Sequence, residues 1–139
     1  SERRYRSFVE ASAQVVWRVN AAGEVDEPIP TWCAFTGQAD AEARGMGWLD
    51  AVAPADRAAV RDAWARVLAS EGTYEVEYDL RRADGAGRRV VARGVPVRDA
   101  GGAVVEWIGT CRDVTEQRAA ERELARREAR FRSFVEASS

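Results

Sequence analysis

Residues 106–139 read EWIGTCRDVTEQRAAERELARREARFRSFVEASS, and the composition of this stretch changes once along its length. Residues 104–108 contain the β-branched and aromatic side chains that favour strands. Residues 114–139 contain neither Gly nor Pro and are rich in Arg, Glu and Ala, which favour helix. Asp113 precedes Glu116 by three positions, a spacing typical of a capping box. The sequence therefore predicts a last strand that passes through a short junction into a long charged helix.

Composition bounds the class of protein. The chain has 139 residues, 46% of them hydrophobic and 32% charged, which is typical of one globular domain. A net charge of −2 gives no electrostatic case for nucleic-acid binding. No apolar run is long enough to span a bilayer, so we expect no membrane contact by this segment. The absence of histidine excludes His-dependent catalytic triads, His metal ligands and His-ligated haem from this segment.

Two cysteines, Cys33 and Cys111, lie far apart and belong to no CxxC pair. Their number allows a disulfide, but a cytosolic setting favours two free thiols. A redox-sensing role is the alternative to an inert one, since a buried cysteine behaves as a small apolar residue.

A nine-residue sequence occurs twice. Residues 4–12, RYRSFVEAS, return at 130–138 as RFRSFVEAS, with one Tyr-to-Phe change. The simplest interpretation is one full repeat followed by the start of the next, as in a tandem array. Duplication of this helix alone is the alternative. The chain then divides into an N-terminal connecting helix (1–12), a folded core (13–113) and a C-terminal signalling helix (114–139).

Local patterns between the two copies predict an α+β fold. Thr31 is placed to cap a short helix that stops at Gly37, and Pro54 begins the main internal helix, which ends at Gly72. Alternation of apolar and polar residues predicts an antiparallel sheet with helices on one face. Five strands are expected, at residues 15–19, 25–29, 74–81, 89–97 and 104–112.

In this order and spacing, several short motifs resemble a PAS domain with its C-terminal PAC segment over residues 5–118. The motifs that carry the resemblance are Trp32-Cys33-Ala34-Phe35-Thr36-Gly37, Gly47-Trp48-Leu49, Pro54-Ala55-Asp56-Arg57, Asp84-Gly85, Glu106-Trp107-Ile108-Gly109-Thr110 and Asp113-Val114-Thr115-Glu116. The resemblance implies a five-stranded antiparallel sheet of order 2-1-5-4-3 with short helices on one face. It also implies a cytoplasmic sensor protein as host, signal output through the exit helix, and PAS modules arrayed ahead of sensor histidine kinase cores.

The same resemblance bears on cofactors. Light-sensing (LOV) members carry a reactive cysteine in a helix that corresponds to residues 42–49, and this chain has none there. That difference argues against flavin–thiol photochemistry, and the identity of any other ligand stays open. Trp32, Phe35 and Trp48 are the candidates for lining a pocket. The alternative is that the five tryptophans are core residues, because each can bury about 200 Å².

Three carboxylates, Glu75, Glu77 and Asp79, share one face of a predicted strand. A metal site is conceivable because hard cations take oxygen ligands. Arginines on neighbouring strands favour cross-strand ion pairs instead.

Signal transmission is the function that the pattern favours, without catalysis by this segment. We expect Trp107, Asp113 and Thr115 to couple the last strand to the exit helix, with Asp113 paired to an arginine. The exit helix has a weak heptad pattern, which favours a homodimer through the connecting helices. Adjacent PAS repeats and a C-terminal output domain are the other expected partners. A passive spacer that dimerises without a ligand is the alternative. The candidate dimer residues are Tyr5, Phe8, Leu124, Phe131 and Phe134.

Overall fold

The computed structural model describes residues 13–138 of the chain. The strands are β1 (Val15–Asn20), β2 (Tyr74–Arg81), β3 (Gly87–Arg98) and β4 (Val104–Asp113). The helices are α1 (Pro30–Thr36), α2 (Asp40–Ala43), a 3-10 helix (Gly47–Ala51), α3 (Pro54–Ser70) and α4 (Thr115–Ser138). The expected N-terminal helix, with Tyr5 and Phe8, lies outside the described residues.

One antiparallel sheet of order β1-β4-β3-β2 forms the body. The prediction of a fifth strand at residues 25–29 was wrong: Val25 forms only an isolated bridge with Gly45. Pro28 has no N–H to donate to a ladder, and α1 already begins at Pro30. Without that strand, the other four follow the predicted arrangement.

The core lies between the inner face of this sheet and the helices. On β2, Tyr74, Tyr78 and Leu80 are buried whereas Glu75 and Asp79 are exposed, which is the alternation expected of a half-buried strand. The helices contribute aromatic and branched side chains to the same cluster. Its larger members from the helices and the neighbouring strands are Trp32, Val60, Trp64, Val15, Val19, Val90 and Trp107.

Thr31 does not cap α1 as predicted. The helix begins one residue earlier, at Pro30, where the missing proline N–H costs nothing. The Thr31 hydroxyl instead bonds the free edge of β1, accepting from Val16 N at 2.9 Å and donating to Val16 O at 2.8 Å. The predicted stop at Gly37 is confirmed, since Gly37 has φ 79° and its N–H bonds the Cys33 carbonyl.

The strand-to-helix transition falls where the sequence predicts it, but its chemistry differs. The capping box predicted between Asp113 and Glu116 does not form. The Glu116 carboxylate accepts from Arg88 Nη2 at 2.5 Å, and the Asp113 N–H donates to Gln14 Oε1 at 2.6 Å. The helix start is therefore held by β3, by the residue before β1 and by the Asp113 carboxylate, which accepts from the Thr115 N–H in place of the predicted box.

Candidate functional site: the β4–α4 junction

The Asp113 side chain connects the sheet to α4 through both of its carboxylate oxygens. Its side chain is 8% exposed, and Arg88 Nε donates to its Oδ2 at 2.6 Å. Its Oδ1 accepts from Thr115 N at 2.9 Å and from Thr115 Oγ1 at 2.6 Å. Burial disfavours the charge, but the hydrogen bonds from Thr115 and Arg88 outweigh it and lower the Asp113 pKa. The carboxylate is therefore ionised and held from both sides of the junction.

Thr115 and Val114 attach the start of α4 to β3. Arg89 N donates to Thr115 Oγ1 at 2.8 Å, and Val114 N donates to Arg89 O at 2.8 Å. Val114 is itself buried. The first turn of α4 thus continues the hydrogen bonding of the sheet.

A second set of charges holds the next turn of α4 against the outer face of the sheet. Arg118 donates to Glu77 Oε1 from Nε at 3.0 Å and from Nη2 at 2.7 Å. Arg89 Nε donates to Glu77 Oε2 at 3.1 Å. The hydrogen bonds from Arg118 and Arg89 lower the Glu77 pKa. Glu77 therefore links β2, β3 and α4 through one carboxylate.

Trp107 occupies the centre of the core, six residues upstream of Asp113 on β4. Its ring packs edge-to-face on Trp64 at a centroid distance of 5.4 Å. Its register partners are Val19 on β1 and Pro96 on β3. Its indole Nε1 is buried and has no hydrogen-bond partner among residues 13–138. The residue therefore contacts the helical layer and both strands that flank β4.

A small cavity lies between the sheet and the helices. Its volume is about 40 Å³, and its walls include Trp17, Trp32, Trp48, Trp64 and Tyr74. Of the predicted pocket residues, Trp32 and Trp48 line it, whereas Phe35 is not among its wall residues. Ligand pockets usually measure about 300–1,000 Å³. A flavin or haem does not fit this cavity.

Known proteins share this architecture. A family model described as the PAS fold matches residues 29–111, which is more than half of the chain. The chain belongs to the PAS family. Its structure resembles that of a sensory box histidine kinase/response regulator from Burkholderia thailandensis with a TM-score of 0.67 and 25% identity, covering 94% of this chain and 98% of that one.

Two curated relatives match most of this PAS domain. It is 35% identical over 136 residues to an uncharacterized protein of Sinorhizobium fredii, covering 98% of this chain and 16% of that protein. It is 28% identical to the peroxide stress-activated histidine kinase mak1 of Schizosaccharomyces pombe, covering 89% of this chain and 8% of the kinase. The PAS domain thus spans less than a fifth of either relative. It is homologous to PAS domains of sensor histidine kinases.

The carboxylates of β2 form ion pairs. Arg93 pairs with Glu75 at 3.2 Å. Arg89 pairs with Glu77, and it also pairs with Asp79 at 3.2 Å. Among the described residues, no group of three or more His, Cys, Asp and Glu side chains is arranged to hold a metal. The cross-strand interpretation of these carboxylates is confirmed.

Both cysteines of the PAS domain are free thiols, so the disulfide alternative was wrong. Cys111 is buried on β4, with its sulfur 3.9 Å from the Tyr78 hydroxyl. Burial raises the Cys111 pKa to about 12, which suppresses the reactive thiolate. Cys33 lies on α1 and is half-buried. The structure gives Cys111 an inert environment.

Beyond the junction, α4 exposes its predicted apolar positions. Leu124, Phe131 and Phe134 are all exposed, and Glu123 pairs with Arg127 at 3.2 Å on the helix surface. No helix among residues 13–138 has the length and apolar character needed to cross a membrane.

Sequence reasoning named Arg88 and Arg89 as partners for the carboxylates of β2, but it did not assign Arg88 to Asp113 or Arg118 to Glu77. The expectation that Asp113 pairs with an arginine is met, but the partner, Arg88, follows only from the register that aligns Val90 with Asp113. The sequence pointed only weakly to Arg118, since it is the first arginine of the exit helix. Nothing in the sequence pointed to Gln14, because its contact depends on β1 lying beside β4.

Proposed function

We propose that this PAS domain is the sensory and transmission module of a multidomain signalling protein, in which it passes a change in the sheet to α4. Its homology to PAS domains of sensor histidine kinases supports a histidine kinase as the parent protein. The observation that carries the proposal is the Asp113 carboxylate, which bonds β3 through Arg88 and α4 through Thr115. No catalysis is assigned to the segment itself.

The proposed mechanism uses two arrangements of the junction. In the arrangement that the structure describes, Arg88 and Thr115 both donate hydrogen bonds to the Asp113 carboxylate, and Arg118 bonds Glu77. A stimulus that moves β4 against β3, through Trp107 or the outer sheet face, weakens this set and releases the first turns of α4. The helix then changes its angle or register against its neighbour. A few kcal/mol between the two arrangements is enough for such a switch.

We propose cytoplasmic location and three partners for the module: a second copy through the connecting helices, adjacent PAS repeats, and a C-terminal output domain. The exposed residues Leu124, Phe131 and Phe134 support the helical contacts. The repeat of residues 4–12 at 130–138 supports the tandem arrangement.

A second candidate function is a structural spacer that dimerises without binding a ligand. The cavity of about 40 Å³ favours it, because a core this full leaves no room for a large cofactor. The two candidates differ in what the junction does. In a spacer, the Asp113 contacts only stabilise the domain, whereas in a transmitter they also set the output.

The test is Asp113→Ala in the full-length protein, with the kinase activity of that protein as the readout. We expect altered basal or stimulated activity with a folded domain, because the bonds to Arg88 and Thr115 are lost together. Thr115→Val removes only the hydroxyl contacts and should shift activity in the same direction by less. Arg112→Ala is the matched control, since its side chain is exposed beside Asp113 and forms no ion pair with any described residue.

Circular dichroism and thermal melting establish that each variant is folded. If Asp113→Ala and Thr115→Val are folded and signal as the unmodified protein does, transmission through this junction is wrong. The spacer function would then stand.

A further inference from the structure

The turn between β2 and β3 contains the one Asp-Gly pair of the sequence, Asp84-Gly85. The Asp84 side chain is 57% exposed. Gly85 has φ 87°, and apart from its chain neighbours no described atom lies within 4 Å of the position that a Cβ would take there. In an Asp-Gly pair the glycine nitrogen meets least hindrance at the aspartate carboxyl group, because glycine has no Cβ. The turn is therefore where a reaction between these two groups is expected.

That reaction closes a five-membered succinimide ring. The Gly85 nitrogen bonds to Asp84 Cγ, and one carboxyl oxygen leaves as water with the proton of that nitrogen and the proton of the acid. Water then adds to either carbonyl group of the ring and opens it. One opening restores aspartate, and the other gives isoaspartate, in which the main chain runs through the Asp84 side chain. Because the leaving group is water, the reactive form of Asp84 is the protonated acid.

Arg82 keeps the Asp84 carboxyl group ionised. Arg82 Nε donates to Asp84 Oδ1 at 3.0 Å, and Arg82 Nη2 donates to Asp84 Oδ2 at 2.7 Å. Ala86 N also donates to Asp84 Oδ1, at 3.0 Å. The hydrogen bonds from Arg82 and Ala86 lower the Asp84 pKa to about 2. At neutral pH the protonated acid is therefore scarcer than in an unpaired aspartate.

The Gly85 nitrogen is engaged as well. Gly85 N donates to Arg82 O at 2.8 Å, and Arg82 N donates to Ala86 O at 2.8 Å. A succinimide has neither the Gly85 N–H nor the second carboxyl oxygen of Asp84. Ring closure therefore breaks the backbone bond between Gly85 and Arg82 and at least one of the two side-chain bonds from Arg82. The loss of these bonds raises the barrier to ring closure in the folded turn.

We propose that Asp84 is an isoaspartate site that the Arg82 guanidinium holds in an unreactive form while the β2–β3 turn is folded. When the turn opens, the bonds from Arg82 are lost and Asp84 converts. Isoaspartate adds one carbon to the main chain of a turn that Arg81 and Gly87 close as register partners. The modified chain therefore no longer has the loop length that this hairpin uses. The modification site is separate from the β4–α4 junction.

Peptide mapping by liquid chromatography and mass spectrometry tests the proposal, because aspartate and isoaspartate peptides have equal mass and different retention times. The full chain is incubated at neutral pH, either folded or unfolded in urea. We expect isoaspartate at residue 84 to form faster in the unfolded chain than in the folded one.

Arg82→Ala should speed the formation of isoaspartate in the folded chain about tenfold. Without Arg82 the Asp84 pKa rises part of the way from about 2 to its usual 3.8, and each pKa unit changes the protonated fraction about tenfold. Arg81→Ala is the matched control, since its side chain is exposed and forms no ion pair with any described residue, and it should leave the rate unchanged.

Two further variants complete the test. Asp84→Glu lengthens the side chain by one carbon, so the five-membered ring cannot form and no isomer of this peptide should appear in either state. Arg82→Lys keeps the charge without the two-bonded contact, so its rate should lie between those of the unmodified protein and Arg82→Ala, and it decides the test if Arg82→Ala does not fold. Thermal melting establishes that each variant is folded.

The proposal is overturned if folded and unfolded chains form isoaspartate at the same rate, or if Asp84→Glu still gives the isomer. It is also overturned if the folded Arg82 variants isomerise no faster than the unmodified protein.

Discussion

At the scale of single residues, Trp17 explains why two glycines face each other in the sheet. Gly94 and Gly109 are register partners on β3 and β4. A Cβ atom on Gly94 would lie 2.4 Å from Trp17 Cη2, and one on Gly109 would lie 2.2 Å from Trp17 Cζ2 and 2.1 Å from the Arg93 carbonyl oxygen. The indole therefore occupies the space of two missing side chains, and it also packs edge-to-face on Trp64 and Tyr74.

Gly94→Ala tests this packing. We expect it to lower the free energy of unfolding by about 1–3 kcal/mol, because an added methyl group must displace the Trp17 ring in a filled core. Gly87→Ala, on the same strand but with nothing near its Cβ, is the matched control and should change stability little. Urea unfolding measures both. If Gly94→Ala and Gly87→Ala change the free energy of unfolding equally, the Trp17 ring moves aside without a loss of stability.

At the scale of elements, the bonds between α4 and the sheet that the described residues show lie at the beginning of the helix. Its first turns bond Arg88, Arg89 and Glu77 through Glu116, Thr115 and Arg118, whereas the half that contains Phe131 and Phe134 is exposed. The stability of the attachment therefore depends on ionised carboxylates. Acid is expected to loosen α4 before it disrupts the apolar core.

Glu77→Gln tests that dependence on pH. The usual glutamate pKa is 4.5, and the hydrogen bonds from Arg118 and Arg89 lower it in the folded state. Unfolded chains therefore take up the proton first, so the stability from ionised Glu77 is complete above that usual value and is lost as pH falls through the lower folded pKa. The melting temperature of the unmodified protein should exceed that of Glu77→Gln by a constant margin at about pH 6–8, and the margin should shrink below about pH 4.5.

Glu75→Gln is the control for this comparison. Glu75 has one ion pair, with Arg93, and its side chain is more exposed than that of Glu77, so its replacement should lower the melting temperature less. If the difference in melting temperature between the unmodified protein and Glu77→Gln does not change with pH, the charge of Glu77 does not stabilise the fold.

The predicted strand at residues 25–29 shows where element prediction fails. Two prolines and a short alternation of apolar and polar residues are compatible with an edge strand. Whether such a segment forms a strand depends on whether a partner strand lies close enough to pair with it. In the structure, residues from Pro30 onward fold as helix and cover the sheet instead. The longer strands have eight to twelve residues, and on β2 apolar and charged residues alternate over the whole strand, which made it predictable.

At the scale of the whole molecule, the core leaves a cavity of about 40 Å³. Leu80 and Trp107 are almost completely buried, and four pairs among Trp17, Trp64, Tyr74 and Trp107 are in edge-to-face contact. Protein interiors packed to this degree do not expand without cost. The cavity wall includes Tyr74, whose buried hydroxyl has no hydrogen-bond partner among the described residues.

Native mass spectrometry and a visible absorption spectrum test how full this core is in solution. We expect the purified protein to have the mass of the chain or its multiples, without flavin or haem absorption, because neither group fits the cavity. A chromophore that stays bound through purification would show that the helical layer moves away from the sheet to admit it.

Fold and site were not equally predictable from the sequence. Most strand and helix positions follow from local patterns such as Gly37 and Pro54, and the order and spacing of the short motifs resembled a PAS domain before any contact was known. Asp113 was also a candidate because of its place between strand and helix. Its partners depend on which residues of distant strands lie opposite one another, and that register comes from packing of the whole sheet.

The position of Val15 opposite Cys111 has a mechanical consequence. The chain enters β1 and leaves β4 at the same end of two neighbouring antiparallel strands. Tension applied between these ends would open their hydrogen bonds one pair after another, beginning at Val15 and Cys111, and would not shear the ladder as a whole. Bonds loaded in turn yield at lower force than bonds loaded together. This PAS domain is therefore compliant to a pull along the chain, whatever its resistance to heat.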